Sequence, residues 1–509
     1  MGHWLFVPVL LPLLGGILAV LAGRAGPNPQ RGLSLAVSVI LLAVAAGLFA
    51  AAGSDDYHSY ALGDWPAPYG IVLVLDRLSA LLLLLTAMVA LASLIHAVVS
   101  GTDTRGSYFH PLFNLQLFGL NGAFLTGDVF NLFVFFEVLL IASYGLLLHG
   151  GGRRLTRAGL HYVVLNLIGS ALFLFAVGAL YGATGTLNMA DLSVKVAAAP
   201  PEDALLVRAG GLLLLMVFAL KAALLPLYFW LPQAYAQTTA PIAALFAIMT
   251  KVGVYAIVRI YTLVFGPEAG IGAGLAEPWI LPLALATLTF GSLGVFASRD
   301  LRLLLAYFVV LSIGTLLVAV GLFDRAGLSA ALVYLVHTTL ISAGMFLLAD
   351  LIERQRGGLD KAPAPAVAQP LLLGVLFFGG AVALAGVPPF SGFLAKLMIL
   401  QATWSTTDIA WSWTLILVTS LLGMVALSRM GSALFWKTLP ALEARPQPSG
   451  PLLGLPALAL LASGPLLVAL AGPVTAYADA TARQLLAPQR YVDHVLGEAP
   501  PVPATAEEH

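Results

Sequence analysis

Three lysines, one glutamate and one histidine lie inside apolar stretches of this 509-residue sequence, at Lys221, Lys251, Lys396, Glu137 and His337. Amine, carboxyl and imidazole groups share the ability to bind a proton reversibly. A lysine that alternates between an apolar environment and a nearby carboxylate can bind and release a proton near neutral pH. Arginine cannot do so, because its guanidinium group stays protonated. We therefore expect these five residues to form a proton relay.

The cost of burying these charges argues against an incidental role. A charged lysine at the centre of a membrane helix costs about 2.5–3.5 kcal/mol. The alternative is that such residues reach the headgroups along their aliphatic stems or form structural ion pairs. That alternative suits Arg259, near a predicted helix end, but not Lys221, which follows about 15 residues of its apolar run. Glu137 is the only acid in the middle of a predicted span, and we expect it to pair with Lys221, for transport or as a purely structural pair.

Several other polar residues are secondary candidates. Asp128 lies nine residues before Glu137, on the opposite face of a helix, so a capping or surface role is favoured over relay. His337 lies near Tyr334 and beside Thr338, which favours relay over a hydrogen-bonded core role. His161 and His149 lie nearer predicted helix ends and are weaker relay candidates.

The composition is that of a membrane protein. The sequence is 60% hydrophobic and 9% charged, whereas soluble proteins have about 25% charged residues, so an ordinary soluble enzyme is excluded. It has no cysteine, which excludes disulfides and thiolate metal sites, and its zero net charge gives no indication of nucleic acid. No phosphate loop or metal-ligand spacing is present, so we expect neither metal nor cofactor.

The apolar runs predict an all-α integral membrane protein with about 14 transmembrane helices. A bilayer core of about 30 Å needs roughly 20 apolar residues per helix. The first run lacks a basic stretch before it and a cleavage site, so it is expected to be a membrane helix and not a signal peptide. The predicted spans are 4–23, 33–52, 71–99, 110–127, 129–149, 158–182, 206–230, 240–265, 278–297, 301–322, 327–351, 370–402, 411–436 and 452–474.

The basic residues predict the orientation of these spans. One set of loops holds 14 of the 24 lysines and arginines, and the opposite side and its flanks hold seven. Because cytoplasmic loops are enriched in lysine and arginine, the first set is expected in the cytoplasm and both termini outside. The remaining three basic residues are the buried lysines. We expect the inner or plasma membrane of a prokaryote.

Prolines interrupt two of the predicted spans. Pro226 follows Lys221, and Gly386 with Pro388 and Pro389 precedes Lys396. Interior proline removes a backbone hydrogen bond, and in a membrane such breaks persist only where they line a cavity or pack against protein.

The broken spans are the seventh and twelfth, which indicates two inverted five-helix repeats. The expected division is 1–105 (helices 1–3), 106–266 (repeat one), 267–440 (repeat two), 441–476 (helix 14) and 477–509, a polar tail with a disordered end at 500–509. The second repeat has no obvious counterpart of Glu137, and Lys396 follows its prolines whereas Lys221 precedes its own.

Three stretches, 121–137, 161–166 and 221–251, resemble the antiporter-like subunits of respiratory complex I. Among these the chain is most similar to the D-type subunits of Mrp-type multisubunit cation/proton antiporters, also called Mnh or Pha. The resemblance implies a key glutamate at Glu137, a broken-helix lysine at Lys221, a bridging lysine at Lys251, a histidine at His337 and a terminal lysine at Lys396. Several complex I relatives have a glutamate at that last position.

The resemblance also implies a function and partners. It implies a proton-translocating subunit that works with A, B, C, E, F and G-type subunits and exchanges protons for Na⁺ or K⁺. It implies no enzymatic activity of the chain's own. The alternative is a proton-pumping membrane-arm subunit of a complex I-like dehydrogenase or a membrane-bound hydrogenase. An unrelated transporter or a structural scaffold is less favoured than either.

Overall fold

The computed structural model describes residues 2–54, 56–439 and 448–497, which form a bundle of α-helices. The helices of the first half are α1 (Val7–Ala22), α2 (Pro27–Ala51), α3 (Arg77–Ser100), α4 (Phe109–Leu125), α5 (Val129–Leu147), α6 (Arg153–Thr184), α7 (Met189–Ala197), α8 (Ala204–Ala222), α9 (Trp230–Gln237), α10 (Ala240–Phe246) and α11 (Met249–Leu263). Those of the second half are α12 (Glu277–Ala297), α13 (Leu301–Val320), α14 (Arg325–Arg356), α15 (Pro370–Ala385), α16 (Ser391–Ala402), α17 (Ile409–Phe435), α18 (Pro451–Leu461), α19 (Ser463–Ala469), α20 (Ala471–Leu485) and α21 (Pro488–Leu496).

This is a multi-pass membrane protein. Within the described residues, 12 helical segments are long and apolar enough to cross a bilayer, and α15 and α16 are shorter apolar helices. The predicted run 110–127 corresponds to α4, which is not among the 12. The apolar 18-residue stretches of the segments that include α10, α11 and α14 are completely buried by other helices, whereas only about a quarter to a third of the corresponding stretches of α1, α2 and α17 is buried. The central helices are therefore shielded from lipid.

A short β-hairpin departs from the all-α prediction. Strand β1 (His58–Ala61) pairs antiparallel with β2 (Val72–Leu75), with His58 opposite Leu75. A second, parallel pair joins β3 (Ala364–Pro365) and β4 (Thr438–Leu439). The sequence prediction missed β2 because only Asp76 and Arg77 separate its apolar residues from the apolar run of α3.

Two helix breaks share a local geometry. Helix α8 ends before Ala223, which has a left-handed φ of 63°, and Pro226 lies in the turn before α9. Helix α15 ends before Gly386, with a φ of 78°, and Pro388 and Pro389 lie in the turn before α16. In each break a proline follows three residues after the left-handed residue. Each break leaves the carbonyls of a helix C-terminus without their usual partners.

A third break separates α10 from α11, and the sequence prediction had made this one continuous span. The turn is tightened: Ala247, Ile248 and Lys251 each donate a backbone hydrogen bond to the residue three positions earlier. Tight turns of this kind within a helix often mark functional positions. No proline or glycine occurs at this turn, so composition gave no signal of it.

Several features of one part of the chain recur 172 positions later. Asp128 caps α5, and Asp300, 172 positions later, caps α13. Helices α6 and α14 both have 32 residues, begin 172 positions apart and end at left-handed glycines. Isolated antiparallel bridges join Asp128 to Asn188 and Asp300 to Asp360, again 172 positions apart.

The segment predicted as a polar tail folds into helices as far as it is described. Residues up to 497 form α20 and α21, which pack back onto the bundle, and 498–509 lie outside the described residues. Tyr477 Oη donates to the Arg77 carbonyl at 2.8 Å, and Gln484 accepts from the Arg77 amide at 3.0 Å. Tyr491 is 3% exposed and lies against the Arg259 guanidinium, 5.5 Å from ring centroid to Cζ. Local sequence patterns do not indicate this packing, because these contacts join residues about 400 positions apart.

Candidate functional site

The first part of the candidate site lies where α5, α6 and α8 meet. Lys221, on the last turn of α8, is 7% exposed, and its ammonium group donates to Asn166 Oδ1 on α6 at 3.2 Å. Glu137, on α5, interacts electrostatically with Lys221, and its buried Oε1 has no hydrogen-bond partner in the described protein. Within the described residues these two side chains form no ion pair, so the expected direct pair is replaced by an Asn166 contact.

A small cavity touches Lys221. Its lining comes from α5, α6, α8, α9 and α11, and includes Asn166, Trp230, Met249 and Val252. Its volume for the centre of a water molecule is about 10 Å³, which is about the space one water needs. Met249 and Val252, one turn apart on α11, belong to this lining, so the cavity lies between Lys221 and α11.

Lys251 lies on the first turn of α11, directly after the tight turn that ends α10. Its side chain is completely buried, and its ammonium group has a long contact of 3.4 Å with Thr250 Oγ1. Gly253 lets α11 approach α8, since an added Cβ there would lie 2.8 Å from the Lys221 carbonyl carbon and from the Phe218 oxygen. The close approach of these two helices brings the Lys221 and Lys251 backbones together.

His337 lies in the middle of α14 and is 2% exposed. Its Nδ1 is 2.8 Å from Ser391 Oγ, at the start of α16. It interacts electrostatically with both Lys251 and Lys396. An added Cβ at Gly392 would lie 2.9 Å from His337 Nε2, so this glycine permits α16 to pack on the imidazole. His337 therefore lies between two lysines and against the second break.

Lys396 joins the two halves of the second broken helix. It is 6% exposed, and its ammonium group donates to the Ala385 carbonyl at 2.9 Å and to Ser420 Oγ on α17 at 2.8 Å. Ala385 is the last residue of α15, so the lysine binds a carbonyl that the helix leaves free. A cation at a helix C-terminus is also favoured by the helix dipole.

These side chains form a series in space. Glu137 interacts with Lys221, a cavity lies between Lys221 and α11, which carries Lys251, and His337 interacts with Lys251 and Lys396. Every member except Glu137 is at least nine-tenths buried. Chemically, such a series of amines and an imidazole can hold and exchange protons, provided that water bridges the gaps.

Comparison with known proteins decides the family. The family model described as "NADH:quinone oxidoreductase/Mrp antiporter, TM" matches residues 126–423. The chain belongs to this family. It is 42% identical to a probable K⁺/H⁺ antiporter D-type subunit of Rhizobium meliloti, over 97% of this chain and 98% of that protein. It is 38% identical to the Na⁺/H⁺ antiporter D-type subunit of Bacillus subtilis, over 98% and 100% of the two chains.

A solved structure has the same fold as this member of the antiporter family. A chain in the structure of the Mrp complex from a Dietzia species superposes with a TM-score of 0.87 at 29% identity. The match covers 98% of this chain and 100% of that one.

The secondary candidates of this antiporter-family chain lie in varied surroundings. Asp128 caps α5, where its Oδ1 accepts from the Asn131 amide at 2.7 Å. Burial raises the pKa of the Asp128 carboxyl to about 6, although backbone amides oppose the shift. His161 is exposed, with Nδ1 near the Arg157 carbonyl. His149 bonds the Thr102 carbonyl, and burial lowers the pKa of its imidazole.

Tyr334 and Thr338 lie beside His337 on α14. The rings of Tyr334 and His337 are 5.8 Å apart between centroids. Thr338 is 1% exposed, and its hydroxyl has no partner within the described protein. The Thr338 hydroxyl is therefore placed to bind water near the imidazole, whereas the Tyr334 hydroxyl interacts with Thr315.

One charged residue was misassigned from the sequence. Arg259 does not reach the headgroups, because it is 4% exposed and pairs with Asp76 at 2.6 Å. Tyr255 lies beside its guanidinium, 5.5 Å from ring centroid to Cζ. Asp76 caps α3, in the chain's first third, and no local pattern connects it with a residue on α11.

Sequence reasoning also missed the neutral partners of the site. Lys221 is bonded to Asn166, His337 to Ser391 and Lys396 to Ser420. Asparagine and serine are common residues, so nothing in the sequence marked these three as partners of the site. Within the described residues, no group of three or more histidines and carboxylates could hold a metal ion.

Proposed function

We propose that this chain is the proton-translocating subunit of a multisubunit monovalent cation/proton antiporter. Its relatives are named as antiporter subunits and not as enzymes, and they match it over nearly their whole lengths. Protons pass along Lys221, Lys251, His337 and Lys396, and the charge of Glu137 governs their access to Lys221. The placement of His337 within electrostatic reach of Lys251 and Lys396 carries this proposal.

The relay needs gaps that water can bridge and amines that can lose a proton. Neither Lys221 nor Lys251 has an ion-pair partner within the described protein, and each has one neutral hydrogen-bond partner, so neither charge is fixed by a carboxylate contact. Lys396 is held by two oxygen atoms that are also neutral. A lysine in such surroundings is able to alternate between its charged and neutral forms.

The proposal includes two inverted repeats within a bundle of about 14 transmembrane helices. Support comes from the segments that recur 172 positions apart, the paired 32-residue helices and the two similar breaks. The repeats comprise 106–266 and 267–440, preceded by helices 1–3 and followed by helix 14. An odd number of spans per repeat gives opposite orientations, with sites near mid-membrane. The basic loops are then cytoplasmic and both termini outside.

The partners are proposed to be A, B, C, E, F and G-type subunits in the plasma membrane of a prokaryote, with Na⁺ or K⁺ as the exchanged ion. Relatives named for each of these two ions match the chain, so both ions are retained. The second candidate function is a membrane-arm subunit of a redox-driven complex, which the quinone oxidoreductase part of the family description favours. Neighbouring genes distinguish the two: small membrane subunits for the antiporter, cofactor-binding subunits for the redox complex.

Alanine variants of the assembled complex test the relay. Glu137→Ala and Lys221→Ala should abolish cation-dependent proton movement in everted vesicles. Lys396→Ala should impair this movement to a similar extent, and Asp128→Ala should impair it less. Assembly is checked by purifying the complex through a partner subunit. Rates equal to wild type in the Glu137 and Lys221 variants would refute the proposal.

A further inference from the structure

A buried charge network joins α3, α13 and α14, away from the four residues of the relay. His96, on α3, is completely buried, and its Nε2 lies 2.9 Å from Asp350 Oδ2 on α14. Arg354 binds the same carboxylate at 2.5 Å. Arg302, on α13, lies 3.5 Å from Asp350 and 2.6 Å from Glu353.

The exposure of this network falls steadily toward the interior. The side chains of Glu353 and Arg354 are 41% and 30% exposed, that of Arg302 is 17% exposed, that of Asp350 is 10% exposed and that of His96 is 0% exposed. These groups lie on the basic side of the bundle. A series of ionisable groups that starts at the surface and ends at a buried imidazole is a suitable route for protons.

Unpartnered polar atoms also occur on α3 beside the network and on α14 between the network and His337. His96 Nδ1, Ser93 Oγ, Ser342 Oγ and Thr338 Oγ1 are buried and have no hydrogen-bond partner within the described protein. Ser342 lies about 12 Å from Asp350 along α14, and Thr338 lies one turn farther, next to His337. In contrast, the neighbouring Thr339 bonds the Leu335 carbonyl at 2.7 Å.

We propose that the α3–α14 interface holds a hydrated path for protons from the basic face to His337, with His96 and Asp350 at its mouth. The proposal deepens the proposed function and rests on it. Buried polar groups in proteins are nearly always bonded to protein or to water, and the unpartnered atoms on both helices are placed to bind water. A purely structural network would hold the three helices together but would leave Ser342 and Thr338 dry.

The absence of cysteine from the sequence makes the path directly testable. Single variants Ser342→Cys and Ser93→Cys are placed in the full complex, with Thr339→Cys as the matched control on α14. Membrane vesicles are treated with 2-aminoethyl methanethiosulfonate, which reacts with hydrated thiols. The thiols that stay unmodified are then labelled with maleimide-polyethylene glycol in denaturant, and the fraction of this chain that they represent is measured by gel shift. An untreated sample, denatured and labelled in the same way, establishes that each thiol is present.

We expect Ser342→Cys and Ser93→Cys to react at least tenfold faster than Thr339→Cys, and faster when the reagent is added at the basic face. Modification of Ser342→Cys should also slow antiport at least tenfold. Equal labelling of Ser342→Cys and Thr339→Cys would overturn the hydrated interface, and fast labelling with unchanged antiport would overturn its role as a proton path. The labelling pattern does not depend on transport, so a complex without antiport would refute the proposed function separately.

Discussion

Gly386→Ala is the sharpest available perturbation of the second helix break. Gly386 has a φ of 78°, and an alanine in the left-handed region costs about 1–2 kcal/mol. The added Cβ would lie 2.6 Å from Lys396 Cδ and 3.0 Å from its Nζ, so the lysine must move away. One or both of its bonds to Ala385 and Ser420 would then be lost.

The expected cost follows from those two terms. Hydrogen bonds of charged groups contribute about 1.5–3 kcal/mol each, so losing one or both adds to the backbone strain. The total against the observed arrangement is about 2.5–5 kcal/mol with one bond lost and about 4–8 kcal/mol with both lost, so its population falls at least about 60-fold. Because Lys396 ends the proposed relay, antiport should fall by a similar factor.

Gly357→Ala is the matched control for this experiment. Gly357 also has a left-handed φ, of 81°, but an added Cβ there meets nothing within 4 Å. Both variants are assayed for cation-dependent proton movement in everted vesicles, with the amount of assembled complex measured in parallel. The control should assemble and transport like wild type. Similar transport by the two variants, whether high or low, would refute the reasoning, because it would leave no effect specific to Lys396.

Two further predictions concern packing and pH. Asp128→Asn should keep the α5 cap and remove a carboxyl whose pKa is raised to about 6. The stabilising effect of that carboxyl is fully present below its ordinary pKa near 4 and is lost as the pH rises through 6. The variant should therefore be up to about 3 kcal/mol more stable than wild type above pH 6. A difference in thermal stability between the two that does not grow between pH 4.5 and 7.5 would contradict this. Gly253→Ala should force α11 away from the backbone of α8, which should lower stability by about 1–3 kcal/mol and reduce antiport. In the control Gly178→Ala the added Cβ meets open space, so stability and antiport should not change. Equal thermal stabilities of the two complexes would contradict the close packing.

The residues of the relay could be found from the sequence because a charge inside an apolar run is conspicuous. Lys221, Lys251, Lys396 and His337 are all buried by the fold, as their apolar surroundings predicted. Prolines and a glycine marked two of the helix breaks for a similar reason, since their backbone chemistry is local.

The features that the sequence did not reveal depend on distant contacts. Arg259 lies near a helix end in the sequence, yet Asp76 from α3 and Tyr491 from α21 bury it. The turn before Lys251 contains no helix-breaking residue, and α20 resembles a polar tail until its contacts with Arg77 are known. Local patterns report burial and breaks, but they do not report partners.

Lys251→Arg tests the central claim most directly, because it keeps the positive charge and removes the ability to release a proton. The antiport rate of the purified, reconstituted complex is measured beside that of Lys251→Leu, with assembly measured for both. If protons pass through Lys251, both complexes should assemble and both should lose antiport at least 100-fold. Antiport close to wild type in Lys251→Arg, with loss only in Lys251→Leu, would show that the site needs a fixed charge and would contradict the proton relay.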